Sequence, residues 1–429
     1  MTHIQPEAGI HVFRLASSFL LQEFDGQVYT ADDLYRDVHQ ASETLGRCTN
    51  VIIDARHARA VLVGLLLTQT LGLNVALARD IHSTELQEHF KQELAPGVFA
   101  WLDYKALATS PGIRLSTSGT TGKAKIVLYE LKRLIEPINL REIDTDTTWL
   151  LTYEPASYAG IQVMLTAAMN GARLLSPERS ISALAASLRQ RVTHISATPS
   201  FWRALLVAVS STIAIKLKVV TLGGETCPQN LLDELISRFP GAVIRQIYAS
   251  TEAGVGFTVT DGLAGFPAVW LDVSVQGVHL RIRENELQIK TQRGMLAYVG
   301  EGVDPFEEGW LRTGDLVEIQ QDRVLFMGRR DNVVNIGGTK VVPEKVEAVL
   351  CNVQGVSEIT IVSYPNPILG VILIAHVRAT PDADPDKVQL ALKLHAAAHL
   401  PPVARPARYR FVEGMALSNG KKSRKYVAD

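Results

Sequence analysis

The feature that most constrains this chain is a repeated alternation in which short apolar runs of strand length give way to helical stretches. Val51–Ile53 is one such run, followed by an apolar predicted helix over Ala58–Leu71 and a second run at Asn74–Leu77. Parallel strands need a crossover of about a dozen residues, usually a helix, so strand, helix, strand in this order predicts a parallel α/β unit. The same order returns over Thr148–Leu175, Ile181–Ser196 and Val219–Tyr248. Upstream, residues 27–46 predict a helix, with Thr30 as N-cap and Leu34, Val38, Ala41 and Leu45 at helical spacing.

The pattern then changes. From Val269 to Phe326 the segments alternate polar and apolar residues, as in HLRIRENELQIKT and DLVEIQQDRVLFMG, which predicts a β-rich stretch. After Asp331 a small α/β pattern restarts: a helix over Pro343–Leu350, strands over Glu358–Ser363 and Val371–Arg378, and a helix over Pro385–Leu400. The expected fold class is therefore α/β. A large N-terminal domain (1–330) combines parallel and mixed sheets, helices and a β-rich subdomain, and a small α+β C-terminal domain covers 331–429.

At 429 residues with 47% hydrophobic content, the chain can bury more than one core. Its formal net charge of −1 offers no general attraction to nucleic acid or to an anionic membrane surface, and neither is an expected partner. Three widely spaced cysteines, Cys48, Cys227 and Cys351, do not make a disulfide framework. Met1–Leu21 has no basic start followed by an apolar run, and no apolar stretch is long enough to span a bilayer. The expected compartment is the cytoplasm. His194, in THISATPSFW, is expected to be a packed histidine rather than a base, and no His/Cys cluster has metal-ligand spacing.

The sharpest local signal is Leu115–Lys125, LSTSGTTGKAK. Ser116, Thr117, Ser118, Thr120 and Thr121 interleave with Gly119 and Gly122, and Lys123 and Lys125 follow. Glycines let backbone amides converge on an anion, hydroxyls donate further hydrogen bonds, and lysines supply charge. The spacing is not that of a Walker A loop. A flexible surface loop has the same composition, so the loop by itself leaves both readings open.

Thr117–Lys125 resembles the signature loop of the acyl-adenylate-forming superfamily, which groups acyl-CoA and aryl-CoA synthetases, adenylation domains and firefly luciferase. Ala124 stands where proline is usual. Further elements follow in the family's order. Gly223-Gly224-Glu225 comes after the run VVTL, and Tyr248-Ala249-Ser250-Thr251-Glu252 resembles Tyr-Gly-x-Thr-Glu. Gly309–Leu316 resembles Trp-x-x-Thr-Gly-Asp-Leu, Gly328–Asp331 resembles Gly-Arg-x-Asp, and Val333–Leu350 is similar to a string frequent in acyl-CoA synthetases. Near the end, Ser418–Arg424 resembles Gly-Lys-x-x-Arg.

The resemblance implies roles. Thr117, Ser118, Gly119, Thr120, Thr121, Gly122 and Lys125 would hold the phosphates of ATP. Gly224, Glu225, Tyr248, Asp315 and Arg329 would bind the nucleotide, with adenine on the Tyr248 ring and the ribose hydroxyls on Asp315. Thr251 would contact the α-phosphate and Glu252 would hold Mg²⁺. Asp331 would be the hinge of a mobile C-terminal domain, which delivers Lys421 to the reacting carboxylate. Gly337, Gly338 and Lys340 would face the thiol acceptor, either CoA or the phosphopantetheine of a carrier protein. Tyr153, Tyr158, Gly160, Gly223, Ala249 and Gly254 would line the acid pocket. Each residue also has a plain alternative: a core tyrosine for Tyr248, a surface carboxylate for Glu252, an ordinary turn at Thr313–Asp315, a basic tail at Lys421–Lys425.

Two departures matter. Only about 115 residues precede the phosphate loop, which reads as an abbreviated first subdomain. The Phe-Asp pair with which amino-acid-activating domains grip an α-ammonium is missing, which argues against an α-amino acid, and Tyr153, Tyr158 and the Tyr248–Gly254 stretch point to an aromatic or small apolar acid. The expected activity is an ATP-dependent acid–thiol ligase acting on a small-molecule carboxylic acid. The alternatives are a family member that binds nucleotide or acyl-adenylate without turnover, and a phosphotransferase using the glycine-rich loop alone.

Overall fold

A computed structural model of the chain describes residues 13–46, 48–78, 90–101, 112–117, 125–140, 146–209, 215–299, 305–367, 370–380, 382–413, 417–418 and 421–422. Its first sheet has eight strands, in the order Gly254–Val259, Val243–Ser250, Val219–Gly223, His194–Ala197, Thr148–Leu151, Arg173–Ser176, Leu20–Glu23, Val28–Thr30. The six inner strands run parallel and each edge strand is antiparallel to its neighbour. A second, seven-stranded mixed sheet follows the order Ala297–Val299, Lys125–Tyr129, Ile113–Thr117, Asn74–Ala78, Asn50–Asp54, Val98–Trp101, Phe90–Ala95.

One core joins these two sheets. Helix Ala58–Leu71 is apolar on all sides, and Ala60 through Thr68 are buried without a break. A helix of that kind must be covered all round. It packs with helix Tyr158–Asn170 between strands of both sheets. His57, its N-cap, makes no side-chain cap bond. The buried Glu23 carboxylate instead accepts from the Arg59 amide at 2.8 Å, which stabilises the free N–H groups of the first turn. Helix Ala31–Thr44 starts as expected at Thr30, whose hydroxyl and the Asp33 carboxylate form a reciprocal capping box.

A second core lies among the strand Val219–Gly223 and the helices Ile181–Ser187, Pro199–Ala208 and Gln229–Arg238. The β-rich stretch forms an antiparallel sheet in the order Phe266–Pro267, Arg323–Arg329, Trp310–Gln320, Glu286–Lys290, His279–Arg283, with its own aromatic core. A fourth, separate core sits after residue 331. It joins the hairpin Val334–Ile336/Thr339–Val341, helices Pro343–Leu350 and Pro385–His399, and the sheet Val356–Asn366, Gly370–Ala379, Arg408–Phe411.

The helix boundaries at Ala58–Leu71 and Pro343–Leu350 coincide with those read from the sequence, and the last long helix ends one residue earlier, at His399. No helix among the described residues is long and apolar enough to cross a membrane. Cys48, Cys227 and Cys351 are free.

Candidate functional site

The motif residues collect where the parallel strands of the first sheet end, the usual ligand side of an open α/β sheet. Gly223 closes strand Val219–Gly223, and Tyr248, Ala249 and Ser250 close Val243–Ser250. Thr251 and Glu252 follow in the turn to Gly254–Val259. The loop of seven residues, 118–124, joins strands Ile113–Thr117 and Lys125–Tyr129, whose ends Thr117 and Lys125 pair directly. Ser118, Gly119, Thr120, Thr121 and Gly122 lie outside the described residues, as does the side chain of Thr117.

Tyr248 is the centre of the arrangement. Its ring stacks on Phe257 at 5.1 Å and 12° and on Phe326 at 5.1 Å and 7°. Its hydroxyl donates a short hydrogen bond to Asp315 Oδ2. Burial and the Asp315 charge push this phenol well above its ordinary range, so it remains a donor. Arg329 Nη1 donates to Asp315 Oδ1 at 2.9 Å and to the Thr313 carbonyl at 2.8 Å. Burial works against the Arg329 charge, but the carboxylate overrides it and holds the guanidinium more firmly protonated. Residues 248, 315 and 329, distant in the chain, thus form one bonded unit.

The Asp315 turn has a buried support. Glu286, 2% exposed, accepts from the Gly314 amide at 2.8 Å and pairs with Arg312 at 3.2 Å and Arg330 at 3.1 Å. Thr313 Oγ1 donates to the Leu287 carbonyl at 2.6 Å and accepts from the Asp315 amide at 3.1 Å. This network fixes the turn within the sheet, which explains how an exposed-looking Thr-Gly-Asp sequence can present a carboxylate in one direction.

Glu252 lies beside the second sheet. Its carboxylate accepts from the Tyr298 hydroxyl at 3.2 Å and its carbonyl from the Met295 amide at 3.0 Å. The Thr251 carbonyl accepts from Tyr129 at 2.8 Å. The Lys125 ammonium sits over the Tyr298 ring, 5.0 Å from its centroid. Glu225 accepts from the Ser200 amide at 3.0 Å, at the start of helix Pro199–Ala208.

The predicted acid-pocket residues divide. A Cβ on Gly223 would lie 3.9 Å from the Tyr153 hydroxyl and 3.2 Å from the Ile247 carbonyl, so these groups border one another. Tyr158 is 5% exposed and belongs to the core, with its ring 5.6 Å from Tyr129. Its hydroxyl lies 3.3 Å from where a Gly254 Cβ would stand. Gly160 occupies the first turn of helix Tyr158–Asn170, where a Cβ would fall 2.1 Å from the Glu154 carbonyl oxygen. Only glycine fits there. Glu154 itself faces Arg179 at 3.8 Å.

Toward the C-terminus, Asp331 sits in the short 3-10 turn Arg330–Asn332. Gly337 and Gly338, with φ of 54° and 87°, make the tip of an exposed hairpin on which Lys340 pairs with Asn335. Lys421 stands on the strand Lys421–Lys422, paired with Leu417–Ser418, and this strand lies against helix Pro199–Ala208, whose first turn meets Glu225. Its side chain is outside the described residues. His194 packs on Trp149 at 4.8 Å and bonds Thr193 at 2.8 Å, the structural part expected of it.

Two family models match parts of the chain: that of the AMP-binding enzyme matches residues 108–303, and that of the AMP-binding enzyme C-terminal domain matches 345–422. The chain belongs to the AMP-binding enzyme family, the acyl-adenylate-forming ligases. A plipastatin synthase polypeptide of Bacillus subtilis (strain 168) is 29% identical over 342 residues, which is 72% of this chain but 9% of the synthase. The D-alanine–D-alanyl carrier protein ligase of Staphylococcus aureus (strain bovine RF122 / ET3-1) is 26% identical over 73% of this chain and 70% of its own length. The chain thus spans only a small part of the long synthases it matches. Among solved structures, the o-succinylbenzoate CoA synthetase of Bacillus subtilis in complex with its acyl-adenylate OSB-AMP superposes with a TM-score of 0.70 at 20% identity, covering 95% of this chain and 94% of that one. The anthranilate CoA ligase AuaEII with anthranoyl-AMP gives 0.73 at 16%, covering 95% and 93%. These likenesses give the chain the two-domain α/β fold of AMP-binding enzymes.

Sequence reasoning missed four residues at this candidate site: Phe257, Phe326, Tyr298 and Glu286. Phe326 carried a faint signal, since it is an apolar residue just before the Gly328-Arg329 motif. Phe257 is legible only through its pairing with Tyr248 across the strands. Tyr298 and Glu286 carry no local signal, because their roles come from what the fold places beside them.

Proposed function

We propose that this chain condenses a carboxylic acid with ATP to give an acyl-adenylate and pyrophosphate, and then transfers the acyl group to a thiol with release of AMP. The observation that supports this best is the bonded unit of Tyr248, Asp315 and Arg329. A carboxylate has about four acceptor positions. Tyr248 and Arg329 use two of them, and the two left match the two hydroxyls of a ribose. The Tyr248 ring beside Asp315 is flat and apolar, as an adenine partner must be, and the base would lie on it in place of Phe326, which covers it here.

In the first step a carboxylate oxygen attacks the α-phosphorus and pyrophosphate leaves. The loop from Thr117 to Lys125 binds the leaving group, and Thr251 contacts the α-phosphate. Lys421, on its strand against helix Pro199–Ala208, brings an ammonium to the developing charge. Gly224 and Glu225 shape the nucleotide side, and Tyr153, Gly223, Ala249 and Gly254 bound the acid. Mg²⁺ entering with ATP would be held by Glu252 and would offset phosphate charge. This fits the donor set: Glu252 presents a carboxylate held through one oxygen by the Tyr298 hydroxyl, and Mg²⁺ is commonly held by one or two carboxylates plus substrate phosphates.

The acid is aromatic or small and apolar. The Tyr153 hydroxyl borders Gly223, and Glu154, a carboxylate that could have met an ammonium there, faces Arg179 instead. The thiol is that of CoA or a carrier protein's phosphopantetheine, arriving along Gly337, Gly338 and Lys340 once the part after Asp331 has turned. The working domains are 1–330 and 331–429. A pyrophosphate-exchange screen with a panel of acids, followed by mass spectrometry with CoA and carrier proteins, tests the reading. Exchange with no acid in the panel, or release of ADP in place of AMP, would refute it.

A further inference from the structure

The segment Met295–Val299 belongs to none of the motifs, yet it touches both halves of the nucleotide site. Its first amide holds the Glu252 carbonyl at 3.0 Å, and its strand Ala297–Val299 pairs antiparallel with Lys125–Tyr129, the strand that leaves the phosphate loop. Between these two attachments stands Tyr298. Its hydroxyl donates to Glu252 Oε1 at 3.2 Å, and its ring carries the Lys125 ammonium at 5.0 Å. One side chain therefore bears on the carboxylate proposed for Mg²⁺ and on the lysine proposed for the phosphates.

We infer that Tyr298 is a positioning residue that couples the two: its hydroxyl sets the direction of the Glu252 carboxylate, and its ring holds Lys125 toward the loop. The inference rests on the adenylation reading. A phenol donating to one carboxylate oxygen leaves the other oxygen free to meet a cation and prevents the carboxylate from rotating away. A cation over an aromatic face is held without being neutralised, so Lys125 keeps its charge for a phosphate. The second tether between the same elements, Tyr129 to the Thr251 carbonyl, uses main chain and fixes the strands but neither functional side chain.

Two substitutions separate the functions of the ring and the hydroxyl. Tyr298→Phe keeps the ring and removes the donor; Tyr298→Leu removes both. Binding of a non-hydrolysable ATP analogue is measured by calorimetry with the full chain, first without Mg²⁺ and then across a Mg²⁺ titration, with thermal unfolding as a check on folding. For Tyr298→Phe, half-saturating Mg²⁺ should rise about tenfold, as for loss of a hydrogen bond to a charged group, while Mg²⁺-free affinity stays within about twofold. Tyr298→Leu should show the same Mg²⁺ defect and also lose about threefold or more in Mg²⁺-free affinity. A Phe variant with native Mg²⁺ dependence, or Phe and Leu variants equally weak without Mg²⁺, overturns the coupling while leaving adenylation standing. If the native chain binds no analogue in any condition, the adenylation reading and the coupling fall together.

Discussion

Replacing Asp315 by Asn tests the nucleotide site at its narrowest point. In the free protein Asp315 accepts from Tyr248 through one oxygen and from Arg329 through the other. Asparagine keeps the shape but has one acceptor oxygen and places an N–H₂ group where a donor already points. Each ribose hydroxyl bonded to the carboxylate is a charge-assisted hydrogen bond worth about 1.5–3 kcal/mol. At about 1.4 kcal/mol per factor of ten, losing one of them raises KM for ATP roughly 10- to 100-fold. KM for the acid should stay within about twofold, because the acid contacts other residues. The assay is pyrophosphate exchange at saturating acid, run with ATP and with its 2′-deoxy form. The native chain should discriminate against 2′-deoxy-ATP by about tenfold or more, and Asp315→Asn by less than about twofold, since the missing hydroxyl then has no charged partner to lose. Equal discrimination by both proteins would refute the assignment of the ribose to Asp315.

Three further expectations follow from the geometry. Gly160→Ala places a methyl group 2.1 Å from the Glu154 carbonyl and 3.1 Å from Ser157 Oγ, so the loop that carries Tyr153 must shift; the cost is about 1–3 kcal/mol, read as a lower unfolding midpoint and a higher KM for the acid. Lys421→Ala should depress pyrophosphate exchange by about a hundredfold or more while thioester formation from preformed acyl-adenylate stays within about threefold; equal loss of both steps would contradict the division of labour. Burial, then Arg245 and Lys218, lower His194 from 6.5 to about 4. Its contribution to stability is therefore complete above pH 6.5 and is lost as pH falls toward 4, where the unfolded chain binds the proton first. Chemical denaturation across this interval should show a shallower pH slope in His194→Gln than in the native chain.

Much of the fold was legible because each element's local chemistry agreed with its place. Ala58–Leu71 reads as a buried helix in any context, since it has no polar face to expose. Thr30 announces a helix start, and the structure adds Asp33 as the other half of its capping box. The site was legible in part, because glycine-rich turns and strand-end motifs are continuous in sequence. What escaped is discontinuous. Glu286 looks like one more polar residue in an alternating strand, yet it is among the most buried carboxylates because Arg312, Arg330 and the Gly314 amide converge on it. Tyr158 shows the opposite case: its sequence context pointed to the pocket, and the structure sets its ring in the core beside Tyr129 with only the hydroxyl near Gly254. Which face of an aromatic residue is available depends on neighbours that no local pattern specifies.

The strand Arg323–Arg329 carries Phe326 at its middle and runs directly into the turn at Arg330–Asn332. Phe326 lies almost flat on Tyr248, leaving no gap between the rings for a third flat group. A purine wedged there would shoulder this strand aside, and the strand leads straight into the turn that holds Asp331, the hinge proposed for the part that follows. Base recognition and lobe posture would then share a lever. Hydrogen exchange at residues 330–333 should respond to ATP but not to triphosphate alone.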